Sequence, residues 1–454
     1  MKTDQCDLLV LHHEETSIQG VIVWQGSYRF VVNQWGVGHG GFHSQSLFFQ
    51  ALDRNPTARV GNGTMVRVIY DCGSGRTTHP RKALTDAVGR MLSDVADGST
   101  IDLLVISHFD RDHVNGLDYL AAELVKKQIQ VDRVWAPVLT KIEALFAITT
   151  SGLTGAAQQA YAAFVDDPVG RLIQLFDGAD VTQITPDDEP ISLSPSGAGT
   201  DDVDAGGDGD IILTAALGGR GLLASSSALS GEALWEFQPY VVESTLVGAN
   251  AVYELVRNLL GKPVEQCSLD DLIRLANDRT LLAKFHSAVS QHHTQLNRGT
   301  RTSSARTGPN LSSLCVFSGP VSPYDWCRFR GGWNSVKVKR HSIPIAPAWL
   351  GTGDAGLLGA RQVEEMRTAL TQSRLDRVGI SSAPHHGSQH DSGIPLWNAL
   401  PNARWVTIEA DISAGGTGNR HPHKKVLVEL GNRNLNVHAA TDGIDFSWSD
   451  KRIR

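Results

Sequence analysis

The chain has 454 residues, 41% hydrophobic and 20% charged, with a net charge of −7. That length allows one large domain or two to three ordinary ones with a substantial core, and the mild charge argues neither for a nucleic-acid coat nor for disorder. No apolar run reaches the roughly 18 residues that span a bilayer, and the five scattered cysteines lack a CxxC pair, which excludes a thiolate zinc site and a disulfide frame.

In chain order, the start "MKTDQCDLLVLHHEE" lacks a basic stretch followed by an apolar run and a small-residue cleavage site. No signal peptide is therefore expected, and the expected location is cytoplasmic, with no membrane partner. Residues 20–32, "GVIVWQGSYRFVV", read as strands separated by a Gly-Ser turn. The glycine-rich loop of "NQWGVGHGGFHSQSLFFQ" leads into another strand. Gly36, Gly38 and Gly40 lie between strands with no following helix and no Lys-Ser/Thr, so they do not make a phosphate-binding P-loop. "MVRVIYDCGSG" is strand then turn, "ALTDAVGRMLSDVA" has helical spacing, and "IDLLVIS" is a buried strand. "GLDYLAAELVKKQ" reads as a helix and "VDRVWAP" as the next strand. Strand and helix alternate, so the class is α/β or mixed α+β.

The pattern then changes. Residues 140–185 look mostly helical, and 195–210 form a Gly/Asp-rich low-complexity loop. Residues 228–296 are rich in helix formers, and "SLDDLIRLANDRTLLAKFHSAV" resembles one capped amphipathic helix. Strand character resumes at "SSLCVFSG". The chain reads as a single domain over 1–454, its core in two pieces at about 18–140 and 306–454, with a largely helical insertion at 141–305 that is available for partner proteins. Residues 298–341 carry eight Lys and Arg residues, Arg328 and Arg330 among them, against Asp325 alone. They form either a surface for a polyanion or a solvated loop that balances acidic neighbours.

The chemistry concentrates behind the strands. "VISHFDRDHVNGL" places His108, Asp110, Asp112 and His113 within six positions of a buried strand's end. In an extended segment alternate side chains share a side, so His108, Asp110 and Asp112 can converge, and His113 joins where the chain turns into a helix. A mixed His/carboxylate set without thiolate suits a catalytic zinc, manganese or iron site. "WLGTGDAGLL" adds Asp354, "ISSAPHHGSQH" adds His385 and His386, and "GNRHPHKKVLVEL" adds His421 and His423, each cluster beside glycine or a strand end.

The order HxDxDH, TGDA, PHHGS and HP before a helix resembles the metallo-β-lactamase fold, closest to the ComEC-like branch at the C-terminus of the DNA-competence channel protein. "WGVGHGGFHS", "YDCGSG", "NLSSLCVFSG" and "TDGIDFSW" are similar to further stretches of that branch, and the resemblance covers most of 20–135 and 308–450. It implies a four-layer αββα sandwich with two divalent metal ions between its sheets, zinc or manganese. His108 and Asp110 would hold one ion, Asp112, His113 and His385 the other, and Asp354 would bridge them. Two departures stand out. Asp110 occupies a place where the family usually has histidine, which favours harder metals. The usual third histidine is also missing, with Asn310 near its place in order and His386 or His421 as substitutes.

His386 and His421 either act on the substrate, holding a phosphate oxygen or protonating a leaving group, or orient metal ligands. Asn310 and Ser388 either donate hydrogen bonds to substrate or pin the loop, and Asp71 fixes the ligand loop. Together with Asp112 as a catalytic carboxylate, these residues point to a metal-dependent phosphodiesterase or nuclease acting on nucleic acid or nucleotides, with Arg328 and Arg330 holding the polyanion. The alternatives are hydrolysis of a lactone, amide or thioester, and a binding subunit of a bacterial defence or DNA-processing complex.

Overall fold

A computed structural model describes residues 26–51, 64–75, 79–186, 191–192, 211–215, 222–226, 233–298, 310–321, 348–410, 421–441 and 445–453. The basic segment with Arg328 and Arg330 and the loop at 195–210 lie outside the described residues. The chain begins with β1 (Gly26–Gln34), β2 (Phe42–Ala51), β3 (Thr64–Cys72), α1 (Lys82–Ser93), β4 (Thr100–Ile101) and β5 (Leu103–Val105). Next come α2 (Arg111–Val114), α3 (Leu117–Lys126), β6 (Gln130–Val131), β7 (Arg133–Pro137), α4 (Lys141–Thr150), α5 (Gly155–Asp166), α6 (Pro168–Leu175) and β8 (Asp180–Ile184). The middle of the chain gives β9 (Ile191–Ser192), β10 (Ile211–Ala215), β11 (Leu222–Ser226), β12 (Ala233–Val242), α7 (Asn250–Leu260), α8 (Leu269–Asn277) and α9 (Arg279–Arg298). Then follow β13 (Ser313–Pro320), β14 (Ala348–Gly351), α10 (Ala360–Leu370), α11 (Gln372–Leu375), β15 (Val378–Ser382) and α12 (Ile394–Ala399). The chain closes with β16 (Trp405–Glu409), α13 (Lys424–Asn432), β17 (Asn436–Ala440) and β18 (Phe446–Ile453).

These strands form two eight-stranded sheets. The first runs β18-β1-β2-β3-β5-β7-β8-β9 and the second β10-β11-β12-β13-β14-β15-β16-β17, with β4 and β6 as a separate short pair. Apart from the short antiparallel edge strand β9, each sheet is antiparallel in one half and parallel in the other, where β3, β5, β7 and β8, and β14 to β17, run side by side in one direction. Parallel neighbours need crossover connections, and helices provide most of them.

The period-two alternation of the strands places the layers. Val66, Val68, Tyr70, Leu103, Val105 and Trp135 of the first sheet pack against Trp235, Phe237, Leu314, Val316, Trp349 and Ile380 of the second. The intervening residues face outward: Ile69, Leu104 and Val134 meet α1, α3 and α4, while Phe317, Leu350 and Val406 meet α10, α12 and α13. Helices therefore cover both outer faces, and the architecture is the expected αββα sandwich. Helix α3 shows how local sequence produces this layering. Its buried residues Leu117, Leu120, Ala121 and Leu124 fall at i, i+3, i+4 and i+7.

Three expectations are corrected. Gly26 and Ser27 belong to β1 rather than to a turn. The capped helix after Ser268 is two helices, because Asp278 ends α8 and its carboxylate accepts from the Thr280 and Leu281 amides at the start of α9 (2.8 and 3.0 Å). The segment 141–305 is not a helical insertion set apart from the core. It supplies α4–α9 and also β8–β12, which complete both sheets. Its β12 carries Trp235, Phe237 and Val241 on one face, and burial of that face between the sheets overrides the helix-forming composition around it. Among the described residues, no helix is long and apolar enough to cross a membrane.

Candidate metal centre

The carboxyl ends of the parallel strands in both sheets meet at one place, the usual position of sites in open α/β sheets. After β5 the chain leaves the sheet through Ser107–Asp110, with Asp110 extended, and then turns into the single-turn helix α2. His108, Asp112 and His113 are buried there, while the Asp110 side chain is partly exposed. Asp71, at the end of β3 in a left-handed backbone conformation (φ 59°), organises this loop. Its carboxylate accepts from the Ser107 amide and hydroxyl, each at 2.6 Å, and lies 2.9 Å from His113 Nδ1. Ser107 Oγ is also 2.8 Å from His108 Nδ1. Asp71 thus fixes the ligand loop, as its place at the end of "VIYD" implies.

The second sheet supplies the other half. Asp354 follows β14 through Gly353, whose φ is +49° and where a Cβ would lie 2.7 Å from both Ser107 Cβ and Ser313 Oγ. Only glycine lets the two loops approach so closely. After β15, His385 and His386 both adopt left-handed backbone (φ 48° and 55°). Such conformations in non-glycine residues are held only where the surroundings over-determine them. Here the His385 amide donates to Gly353 O (3.0 Å) and His385 Nδ1 is 2.7 Å from Asp391 Oδ2. Asn310 Nδ2 ties the arrangement together, donating to Asp354 O (2.9 Å) and Asp391 Oδ1 (3.0 Å).

Every one of these imidazoles turns its Nε2 toward Asp354. His108 and His385 stand 3.6 and 3.5 Å from Oδ2, and His113 and His386 stand 3.4 and 3.7 Å from Oδ1. Asp110 lies 3.7 Å from His108 Nε2, and Asp112 Oδ2 lies 3.8 Å from His386 Nε2 and 3.3 Å from His39 Nε2. These separations are long for charge-assisted hydrogen bonds. They match the edges of a coordination polyhedron, since ligands about 2.0–2.1 Å from one tetrahedral ion lie about 3.3 Å apart. His108 Nε2 and Asp354 Oδ1 are buried and make no hydrogen bond, whereas His108, His113 and His385 are each engaged through Nδ1. A ring held at one nitrogen and aimed by the other is the arrangement of a metal-ligating histidine. Two groups have ligand atoms close enough to hold an ion: His108 with His113 and Asp354, and His39 with Asp112 and His386.

The electrostatics agree with a shared cationic centre. Burial opposes charge on Asp354, but His385, His108, His386 and His113 around it hold its carboxyl well below the ordinary range. Asp112 is likewise held low against burial by His113, His39 and His386. His385 is raised to about 10, Asp354 and Asp391 outweighing its burial. His386 is pushed well down by burial and by His39 beside it.

All six residues read as ligands come together, with one change of partner. His386, rather than His385, faces Asp112, and His385 stands with His108 on the Oδ2 side of Asp354. His421 lies at the same end, its ring 5.4 Å from that of His385, with Nδ1 buried and making no hydrogen bond. Asn310 and Ser388 are engaged within the protein: Asn310 as described, and Ser388 donating its amide to His385 O while its hydroxyl accepts from the His390 amide. Two residues of the centre, His39 and Asp391, carry no site role in the sequence reading, although His39 lies within "WGVGHGGFHS". His39 sits in a loop conspicuous for its glycines, although a histidine between glycines at a strand end is a usable signal. Asp391 has no local pattern to mark it.

No family model matches the sequence, and no curated protein matches it. Among solved structures the chain is similar to the metallo-β-lactamase fold protein YhfI from Bacillus subtilis, at 9% identity and a TM-score of 0.35, covering 92% of this chain and 99% of that one. Function has to come from the geometry of the centre itself.

Proposed function

We propose that the protein is a metal-dependent hydrolase of the metallo-β-lactamase type, that Asp354 would be shared by two divalent ions, zinc or manganese, and that its substrate is a phosphodiester in nucleic acid or a nucleotide. One observation carries this reading: four imidazole Nε2 atoms converge at 3.4–3.7 Å on the two oxygens of a single buried carboxylate. A pair of such ions supplies an activated water and a clamp on the attacking and leaving oxygens.

The chain's own residues then have separable roles. Asp354 presents one oxygen to His108 and His385 and the other to His113 and His386. Asp71, Ser107, Asn310 and Asp391 hold the ligand rings and loops in place. Asp112 stays ionised between His39 and His386. His421 is lowered to about 3 by burial and by His385, His39 and His423. It is therefore a neutral imidazole that offers a hydrogen bond to a phosphate oxygen rather than a charge. The carboxylate of Asp110 beside His108 makes this a harder donor set than an all-histidine one, which supports manganese beside zinc. The run of Lys and Arg at 298–341 supports a polyanionic substrate.

The test is a panel of bis-p-nitrophenyl phosphate, single-stranded DNA and a lactone, each assayed with zinc and with manganese. Cleavage of the first two, lost in Asp354→Ala and Asp112→Ala, is the expected result. Turnover retained in both variants overturns the mechanism. Lactone cleavage alone moves the substrate to a carboxylic derivative.

A further inference from the structure

The ligand motifs of the sequence leave the centre one imidazole short, and the structure brings an unexpected one to it. His39 comes from the loop between β1 and β2, on the antiparallel side of the first sheet. Its Nε2 lies 3.3 Å from Asp112 Oδ2, and its ring centroid is 4.0 Å from that of His386. The loop around it is built to stay there. The Gly41 amide donates to Asp112 O (3.3 Å), and the Gly75 amide donates to His39 O. Gly40 has φ +143°, and a Cβ on it would lie 2.6 Å from both Asp112 O and Gly73 O. The glycines of "GVGHGG" therefore press the loop backbone onto the carbonyl of a ligand residue. Asp112 Oδ2 is left between two imidazoles at 3.3 and 3.8 Å, the spacing found on the other side of Asp354.

We propose that His39 is a metal ligand, completing with Asp112, His113 and His386 the set that would hold the second ion, while His108, Asp110 and His385 would hold the first. This rests on the two-metal reading above and adds to it a ligand from outside the strand-end motifs. On this assignment the glycine-rich loop exists to deliver one nitrogen to Asp112.

The experiment uses the metal-stripped full chain, titrated with cobalt(II) by visible absorption and with manganese by calorimetry. The wild type should take up two ions. His39→Ala should keep the first at unchanged affinity and bind the second at least about 100-fold more weakly, beyond the roughly 10- to 100-fold loss typical of outer-shell partners. His39→Cys adds a direct readout, because the introduced thiolate gives a near-ultraviolet charge-transfer band with cobalt only if residue 39 ligates it. Two ions at wild-type affinity in His39→Ala, or no such band in His39→Cys, overturns the proposal and leaves the hydrolase reading standing. Loss of both ions in His39→Ala overturns the assignment of His39 to the second ion alone. A wild type that binds no ion overturns both proposals together.

Discussion

A histidine at this centre has two nitrogens with different partners, and the outer one is as informative as the inner. His385 points Nε2 at Asp354 and is held at Nδ1 by Asp391. Replacing Asp391 with Ala removes that hold without touching a ligand atom. Metal affinity should fall by about 10- to 100-fold, measured by competition with a chelating dye. Away from the centre, His43 lies wholly buried between the sheets, its ring stacked 4.0 Å from Trp349, and burial lowers it from 6.5 to about 3. The unfolded chain therefore binds more protons than the folded one between those values. Stability conferred by neutral His43 is fully present above 6.5 and is lost as pH falls toward 3. Urea midpoints of metal-free protein should drop over that window, and His43→Gln should flatten the fall. The residues His108, Asp110, Asp112, His113, Asp354, His385 and His386 that gather at this centre are legible in the sequence, because such side chains crowded behind apolar strands repel one another unless a cation sits among them. Asp391 and the hydrogen bonds of Asn310 are not, since a residue that holds another side chain in place leaves no spacing of its own.

At the scale of elements, two connections decide whether the ligand loops keep their places. Gly40 sits where positive φ and contact with the Asp112 carbonyl both exclude a side chain. Gly40→Ala should destabilise the fold by about 1–3 kcal/mol and weaken metal binding together, read from denaturation and metal titration of one sample. The second connection is Glu143 in α4, fully buried, whose carboxylate accepts from the Ser312 amide (2.8 Å) and caps its own helix at Thr140. Ser312 Oγ in turn accepts from the Ser244 amide, and Ser244 Oγ donates to Asn310 O. Glu143→Ala strands the Ser312 amide and should cost about 1–3 kcal/mol, visible as a lowered thermal midpoint. The alternation of strand and helix up to β7 is legible because each element is amphipathic with a clear period. The strand β12 is hidden because its neighbours favour helix, and only its place in the second sheet, with one face buried against the first, makes period two the better solution.

For the molecule as a whole, the centre joins the two sheets, with Asp110, Asp112 and His113 from the first and Asp354, His385 and His386 from the second. An ion held by both binds the folded chain and not the unfolded one, so it should stabilise by mass action. Manganese or zinc at about 100 times its dissociation constant should add about 2.7 kcal/mol, and a chelator should remove it, both followed as shifts in thermal midpoint. The first sheet closes in an unusual way: β18 pairs antiparallel with β1, from Gln34 with Phe446 to Ser27 with Ile453. During synthesis this makes the opening strand wait. Roughly 400 residues separate the partners, and at about 5–20 residues per second a ribosome needs roughly 20 to 80 s to deliver the second after the first. For that interval one edge of β1 lacks its native partner and is open to other chains. The newborn protein is thus open to misassembly at β1, the strand that leads directly into the loop carrying His39.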